Sequence, residues 1–200
     1  MIIIGLTGSM GMGKTTAARN FHGLGIAVHN ADKTVHGLMA RGGEAVAAIG
    51  AAFPGAVKQD AVDRRALAAR VFDGDDADEN LDRLEAILHP LVRRRQEEFL
   101  RDAEARGDEM VVLEVPLLLE TGGDAICDLV VVVSAPTDIQ EDRILSRPGM
   151  TKARLRAILA RQMPDAEKRR HADFVIETDV DRAQSLRAVE NIVKVIRDGN

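Results

Sequence analysis

The chain contains no tryptophan and no tyrosine, and only five phenylalanines. Few aromatic rings are therefore on offer for stacking against a nucleotide base, and arginine planes or aliphatic walls are expected instead. A single cysteine, Cys127, lies in an apolar context and excludes an intrachain disulfide. Nothing in cysteine usage points to an oxidising compartment, and core packing is its expected role. Long apolar runs are missing as well. Ile2, Ile3 and Ile4 make a run too short to span a bilayer, and no basic segment of a signal peptide precedes it. A cytoplasmic location without a membrane partner is expected. A surplus of positive charge is also lacking: 32 acidic against 27 basic residues leave a net charge of -5. Such a chain has no global attraction for DNA or RNA, so nucleic acid is not an expected partner. Its arginines come in local groups, as at Arg64 and Arg65, Arg93 to Arg95, and Arg169 and Arg170. These suit a small anionic ligand, or are simply solvated helix faces.

What is present fits one α/β domain of 200 residues with a modest insertion. Continuous apolar runs mark strands covered on both faces. They are expected at Ile2–Leu6, Ile26–His29, Met110–Val115 and Leu129–Val133, with a fifth strand at Phe174–Glu177. Helical character follows the first run over Lys14–His22 and the fourth over Thr137–Leu145. From Asp32 to about Arg106 the chain is rich in alanine and arginine at helical spacing, and Leu81, Leu84 and Leu88 share one face. The residue before a proline avoids helical dihedrals, so Pro90 predicts two helices meeting at His89–Pro90. Arg147, Pro148, Gly149 and Met150 read as a turn, followed by a basic helical stretch to about Arg170. Asp181 can cap a last helix with Leu186, Val189, Val193 and Ile196 on its apolar face. Strands alternating with helices imply a parallel sheet wound on both sides.

Residues Gly8 to Thr15, GSMGMGKT, match G-x-x-x-x-G-K-[ST]. The glycines let the backbone curl so that successive N–H groups point at phosphate oxygens. The helix beginning at Lys14 presents its unpaired N–H groups and positive dipole end to the same anion. Lys14 supplies a mobile charge for the β- and γ-phosphates, and Thr15 a hydroxyl for Mg²⁺. The pattern follows an apolar strand and precedes a helix, the context that makes it a phosphate loop. The expected nucleotide-binding set is Gly8, Gly11, Met12, Gly13, Lys14, Thr15 and Thr16, with ATP and Mg²⁺ as the ligands. No Asn-Lys-x-Asp motif for reading guanine occurs in the chain, which argues against a regulatory GTPase. The third expected strand ends with one acid, Glu114, where partner-moving ATPases usually carry more.

Asp32 lies just past the second expected strand. In a parallel sheet that strand end and the phosphate loop open into one crevice, where a carboxylate could take the proton of an attacking hydroxyl. Asp32 could equally cap a helix starting near Lys33. Arg143 and Arg147, one helical turn apart, could close over phosphates as part of a mobile flap, or belong to a solvated basic helix. A nucleoside monophosphate kinase shares this logic, but its phosphate acceptor is already ionised and needs no base. A nucleotide-sensing module would bind ATP and transfer nothing.

Several segments together resemble the dephospho-CoA kinase family. They are Ile4 to Gly8 leading into the loop, Asn30-Ala31-Asp32 with His36, and His89-Pro90-Leu91-Val92. Further on come Glu114-Val115-Pro116-Leu117-Leu118-Leu119-Glu120, then Gln140, Arg143, Arg147, Gln162, Lys168 and Ala172-Asp173 in order and spacing. The resemblance covers essentially the whole chain. It implies a P-loop NTPase fold with a five-stranded parallel sheet, and ATP-dependent phosphorylation of the ribose 3′-hydroxyl of dephospho-CoA, the last step of coenzyme A synthesis. It further implies a core of about 1–32, 107–142 and 170–200, a helical acceptor-binding insertion of about 33–106, and a lid of about 143–169. The catalytic set so implied is Lys14, Asp32 as general base, Arg147 on the phosphates and Thr7 positioning the acceptor. Arg143 would lie along the adenine or phosphates, while His89 and Arg93 would face the acceptor with Thr7 and Asp32. Glu114 stands where the family usually has Asp, and would hold a magnesium-bound water. Thr178 stands where asparagine is common. Dephospho-CoA is the implied partner, for a monomer or weak homo-oligomer.

Overall fold

A computed structural model describes residues 1–72 and 76–199. In chain order the elements are β1 (Ile2–Thr7), α1 (Lys14–Gly23), β2 (Ala27–Asn30), α2 (Ala31–Leu38), α3 (Val46–Ala52), β3 (Val57–Lys58), β4 (Ala61–Val62), α4 (Arg64–Phe72) and α5 (Ala77–Arg106). There follow β5 (Met110–Glu114), β6 (Leu129–Ser134), α6 (Thr137–Leu145), α7 (Lys152–Leu159), α8 (Asp165–Arg170), β7 (Phe174–Glu177) and α9 (Arg182–Asp198). The chain divides into two compact units, one of Met1–His29 with Ala103–Asn200, the other of Asn30–Asp102.

The first unit is built on the five-stranded sheet, in order β2-β5-β1-β6-β7. The pairs β1–β5, β1–β6 and β6–β7 are parallel. Central strands flanked on both faces need apolar side chains on both, which is why β5 reads Met-Val-Val-Leu-Glu and is buried throughout. Ile4, Leu6, Val112, Val131 and Ile176 meet Phe21 of α1 and Val189, Val193 and Ile196 of α9 in one core. A smaller cluster of Leu118, Val130 and Val132 also takes in Cys127. Burial, helped by Asp124 and Asp128, pushes the Cys127 thiol up to about 11, so at neutral pH it is a protonated packing group. Gly5 in β1 allows this packing, since a Cβ there would meet Leu118 Cδ2 at 2.6 Å and Cys127 Sγ at 2.8 Å. The expected cap of the last helix is present as a capping box: Asp181 accepts from Gln184 N–H, and the Gln184 side chain returns to the Asp181 N–H.

The second unit packs Leu38, Ile49, Phe53, Leu67 and Val71 against one face of α5, formed by Leu81, Leu84, Leu88, Leu91 and Val92. Here the structure corrects the sequence reading. Instead of two helices meeting at Pro90, α5 runs through it without a break. A proline withdraws one helical N–H and disfavours the preceding turn, but apolar side chains on both sides of Pro90 are held in the same core. Tertiary packing outweighs the local preference. A small hairpin, β3 with β4, also escaped the sequence reading. Its turn residues Gln59 (φ 50°) and Asp60 (φ 60°) are both left-handed, the geometry of a type I′ turn, without the glycine that normally signals it.

Candidate active site

Beyond the C-terminal end of β1 the chain turns through Gly8, Gly11 and Gly13, with φ of 146°, 81° and 90°. These values lie where a Cβ is strained. Space excludes a side chain too: a Cβ on Gly8 would lie 2.5 Å from Val133 O, and one on Gly11 2.7 Å from Ile144 Cγ1. Gly13 is the N-cap of α1, and no side chain caps that end. Without a capping side chain in the way, the positive end of the α1 dipole is open to an incoming anion. The Lys14 ammonium folds back over the loop and donates to Gly8 O at 2.5 Å. Thr15 and Thr16 are exposed on the first turn.

Three consecutive carbonyls of the loop are turned outward and accept from side chains. Met10 O accepts from Gln140 Nε2 (2.7 Å), Gly11 O from Arg143 Nη1 (3.4 Å), and Met12 O from Thr178 Oγ1 (2.9 Å). The Met12 N–H closes a turn onto Ser9 O at 3.2 Å, so the loop is curled tightly, the backbone form from which anion-binding nests are made. Arg143 also donates to Thr178, with Nη1 on Oγ1 at 3.0 Å and Nη2 on the backbone oxygen. The expectation that Arg143 serves the nucleotide thus meets a guanidinium already bridging the loop and the segment after β7. Arg147, at the turn after α6, is exposed, and its guanidinium has no bonded partner among the described residues.

Thr7 is fully buried, and its hydroxyl donates to Pro116 O at 3.1 Å. It ties β1 to the segment after β5 and does not present its hydroxyl to solvent. Glu114, buried at the end of β5, stands in register with Leu6 of β1. Behind Pro116, Glu120 accepts from Met163 N at 2.8 Å and pairs with the wholly buried Lys168 at 2.8 Å. This pin escaped a functional reading because an acid and a lysine 48 residues apart carry no local signal.

In the second unit, α2 begins at Ala31 and its cap is Asn30, whose side chain accepts from Lys33 N at 2.7 Å. The alternative reading of Asp32 as a cap is therefore set aside: its carboxylate is exposed on the first turn and is not needed for capping. His89 and Arg93 lie four apart on the exposed side of α5. Arg94 is paired with Glu44, and Arg95 with Glu44 and Glu98, so two of the three clustered arginines have acidic partners.

A parallel sheet with a glycine-curled loop feeding a lysine-led helix defines a P-loop kinase core. Comparison with known proteins narrows it: a dephospho-CoA kinase family model matches residues 2–184. The chain belongs to the dephospho-CoA kinase family, and it is an enzyme, a kinase that uses ATP. A dephospho-CoA kinase of Paramagnetospirillum magneticum is 59% identical over 169 residues, 84% of this chain and 78% of that protein. One of Rhodospirillum rubrum is 53% identical over 199 residues, 99% and 93% of the two chains. A crystal structure from Thermus thermophilus superposes with a TM-score of 0.82 at 34% identity, covering 97% of this chain and 96% of that one. Shikimate kinase of Acinetobacter baumannii shares the fold alone, with a TM-score of 0.51 at 20% identity over 100% of this chain and 95% of its own.

Proposed function

We propose that the enzyme transfers the γ-phosphoryl group of ATP to the ribose 3′-hydroxyl of dephospho-CoA, giving coenzyme A and ADP, in the cytoplasm and as a monomer or weak homo-oligomer. The observation that carries this reading is the phosphate nest of Gly8–Thr16, held open by side-chain donors, in a chain whose family match runs over residues 2–184. The amides of Gly11, Met12, Gly13, Lys14, Thr15 and Thr16 hold the phosphates, with Gly8 supplying the curl. Lys14 exchanges its contact with Gly8 O for phosphate oxygens. Arg147 neutralises charge on the transferring group. Arg143, anchored on Thr178, forms a plane beside the nucleotide.

Asp32 orients and deprotonates the hydroxyl. It follows β2 by two residues, is exposed, and is not used as a cap. His89 and Arg93 face the acceptor, and Thr7 acts by fixing the segment at Pro116. Residues 33–106 form the acceptor-binding insertion and 143–169 the lid, which excludes water as the competing acceptor. The donors fit a magnesium ion by chemistry, because Thr15 offers a hydroxyl as a direct ligand and Glu114 a carboxylate to hold a magnesium-bound water, the oxygen donors Mg²⁺ prefers. A magnesium ion held there would supply positive charge to offset that of the phosphates. Transfer is then a matter of in-line positioning and charge neutralisation. A coupled ADP-release assay comparing dephospho-CoA with AMP, CMP and shikimate tests the reading. Turnover should appear with dephospho-CoA alone, and preference for a nucleoside monophosphate would overturn it.

A further inference from the structure

The Met10 residue, third in the phosphate loop, is gripped on both of its backbone polar groups. Its N–H donates to Gln162 Oε1 at 3.1 Å, and its carbonyl accepts from Gln140 Nε2 at 2.7 Å. Chemistry fixes both amide orientations, since an N–H requires an oxygen opposite it and a carbonyl requires an NH₂. Gln140 is 5% exposed on α6, a burial that for a glutamine requires a partner. Gln162 lies between α7 and α8, next to Met163, whose N–H is held by Glu120. Lys168 on α8 closes that pin. The two glutamines therefore come from opposite ends of the 146–161 segment and converge on one residue of the loop.

We propose that Gln140 and Gln162 are positioning residues for ATP. They hold the Met10 carbonyl outward and its N–H off the concave side, and so preorganise the neighbouring N–H groups for phosphate. The inference deepens the phosphate-binding reading above and rests on it. Pre-set backbone dipoles bind an anion without reorganisation, so loosening the bracket weakens ATP binding first. Acceptor recognition is not expected to change.

The hydrogen-bond directions differ between the two glutamines, and that asymmetry provides the test. Glutamate has the same shape but only accepts. Gln140→Glu sets an acceptor against the Met10 carbonyl, whereas Gln162→Glu keeps the acceptor that the Met10 N–H needs. In the full-length enzyme, Gln140→Glu and Gln162→Ala should each raise the KM for ATP about 10-fold, with the KM for dephospho-CoA changed far less. Gln162→Glu should recover most of the Gln162→Ala loss. Amide hydrogen exchange over residues 8–13, without substrate, should quicken in Gln162→Ala and return toward wild type in Gln162→Glu. This readout needs no turnover, so it separates failure of the bracket from failure of the assigned reaction. If Gln140→Glu does not fold, the Gln162 pair decides. Gln162→Glu as impaired as Gln162→Ala in both measurements, or unchanged exchange and KM in Gln162→Ala, overturns the proposal.

Discussion

Replacing Lys168 by methionine removes a charge that is entirely enclosed, and the consequence can be sized from its surroundings. The Lys168 side chain is 0% exposed, that of Glu120 16%, and they lie 2.8 Å apart. Breaking a buried pair by removing one partner costs about 3–5 kcal/mol, because the other charge stays behind uncompensated. Glu120 retains the Met163 N–H and some access to water, so the lower end applies, about 3 kcal/mol. For a chain of this size that is a fall in Tm of about 6–12 °C. Glu120→Gln neutralises the charge yet keeps an acceptor for Met163. The double variant Lys168→Met with Glu120→Gln should therefore come within about 1 kcal/mol of wild type, since a neutral well-packed replacement of a buried pair is often tolerated. Urea unfolding of the wild type, both single variants and the double closes the cycle. Additive losses, or a Lys168→Met variant within about 1 kcal/mol of wild type, would refute the claim that the pin works as a charge pair in a dry site.

Asp32→Asn should lower kcat by about 10²-fold, the scale of general-base catalysis, with ATP affinity nearly intact by calorimetry; equal turnover would remove Asp32 from that role. Arg147→Ala should lower kcat more than it raises the KM for dephospho-CoA, read from full kinetic curves, and a pure acceptor-binding defect would contradict its phosphate role. His29 is buried in β2, and burial lowers its pKa from 6.5. The unfolded chain therefore takes up a proton near 6.5 that the folded chain refuses, so stability falls as the pH drops below that value toward the lowered one. Urea midpoints at about pH 7.5 and about pH 5.5 should show this loss in wild type and less of it in His29→Gln.

Local chemistry was enough for much of this enzyme. The five strands are short apolar runs bounded by glycine and polar residues, and the phosphate loop announces itself because its glycines, lysine and threonine are contiguous. Asp181 as the cap of α9 is likewise a signal contained within four residues. What the sequence withheld depends on partners far along the chain. Pro90 reads as a break until the apolar face it interrupts is seen packed in one core. Asp32 reads as either a base or a cap until Asn30 is found doing the capping. The grip on Met10 by residues 130 and 152 positions away, and the Lys168–Glu120 pin beneath it, have no periodicity or spacing to betray them. A nest of amides needs only a few consecutive residues to form, but the groups that turn its carbonyls outward arrive from wherever the fold delivers them, and only tertiary structure decides which those are.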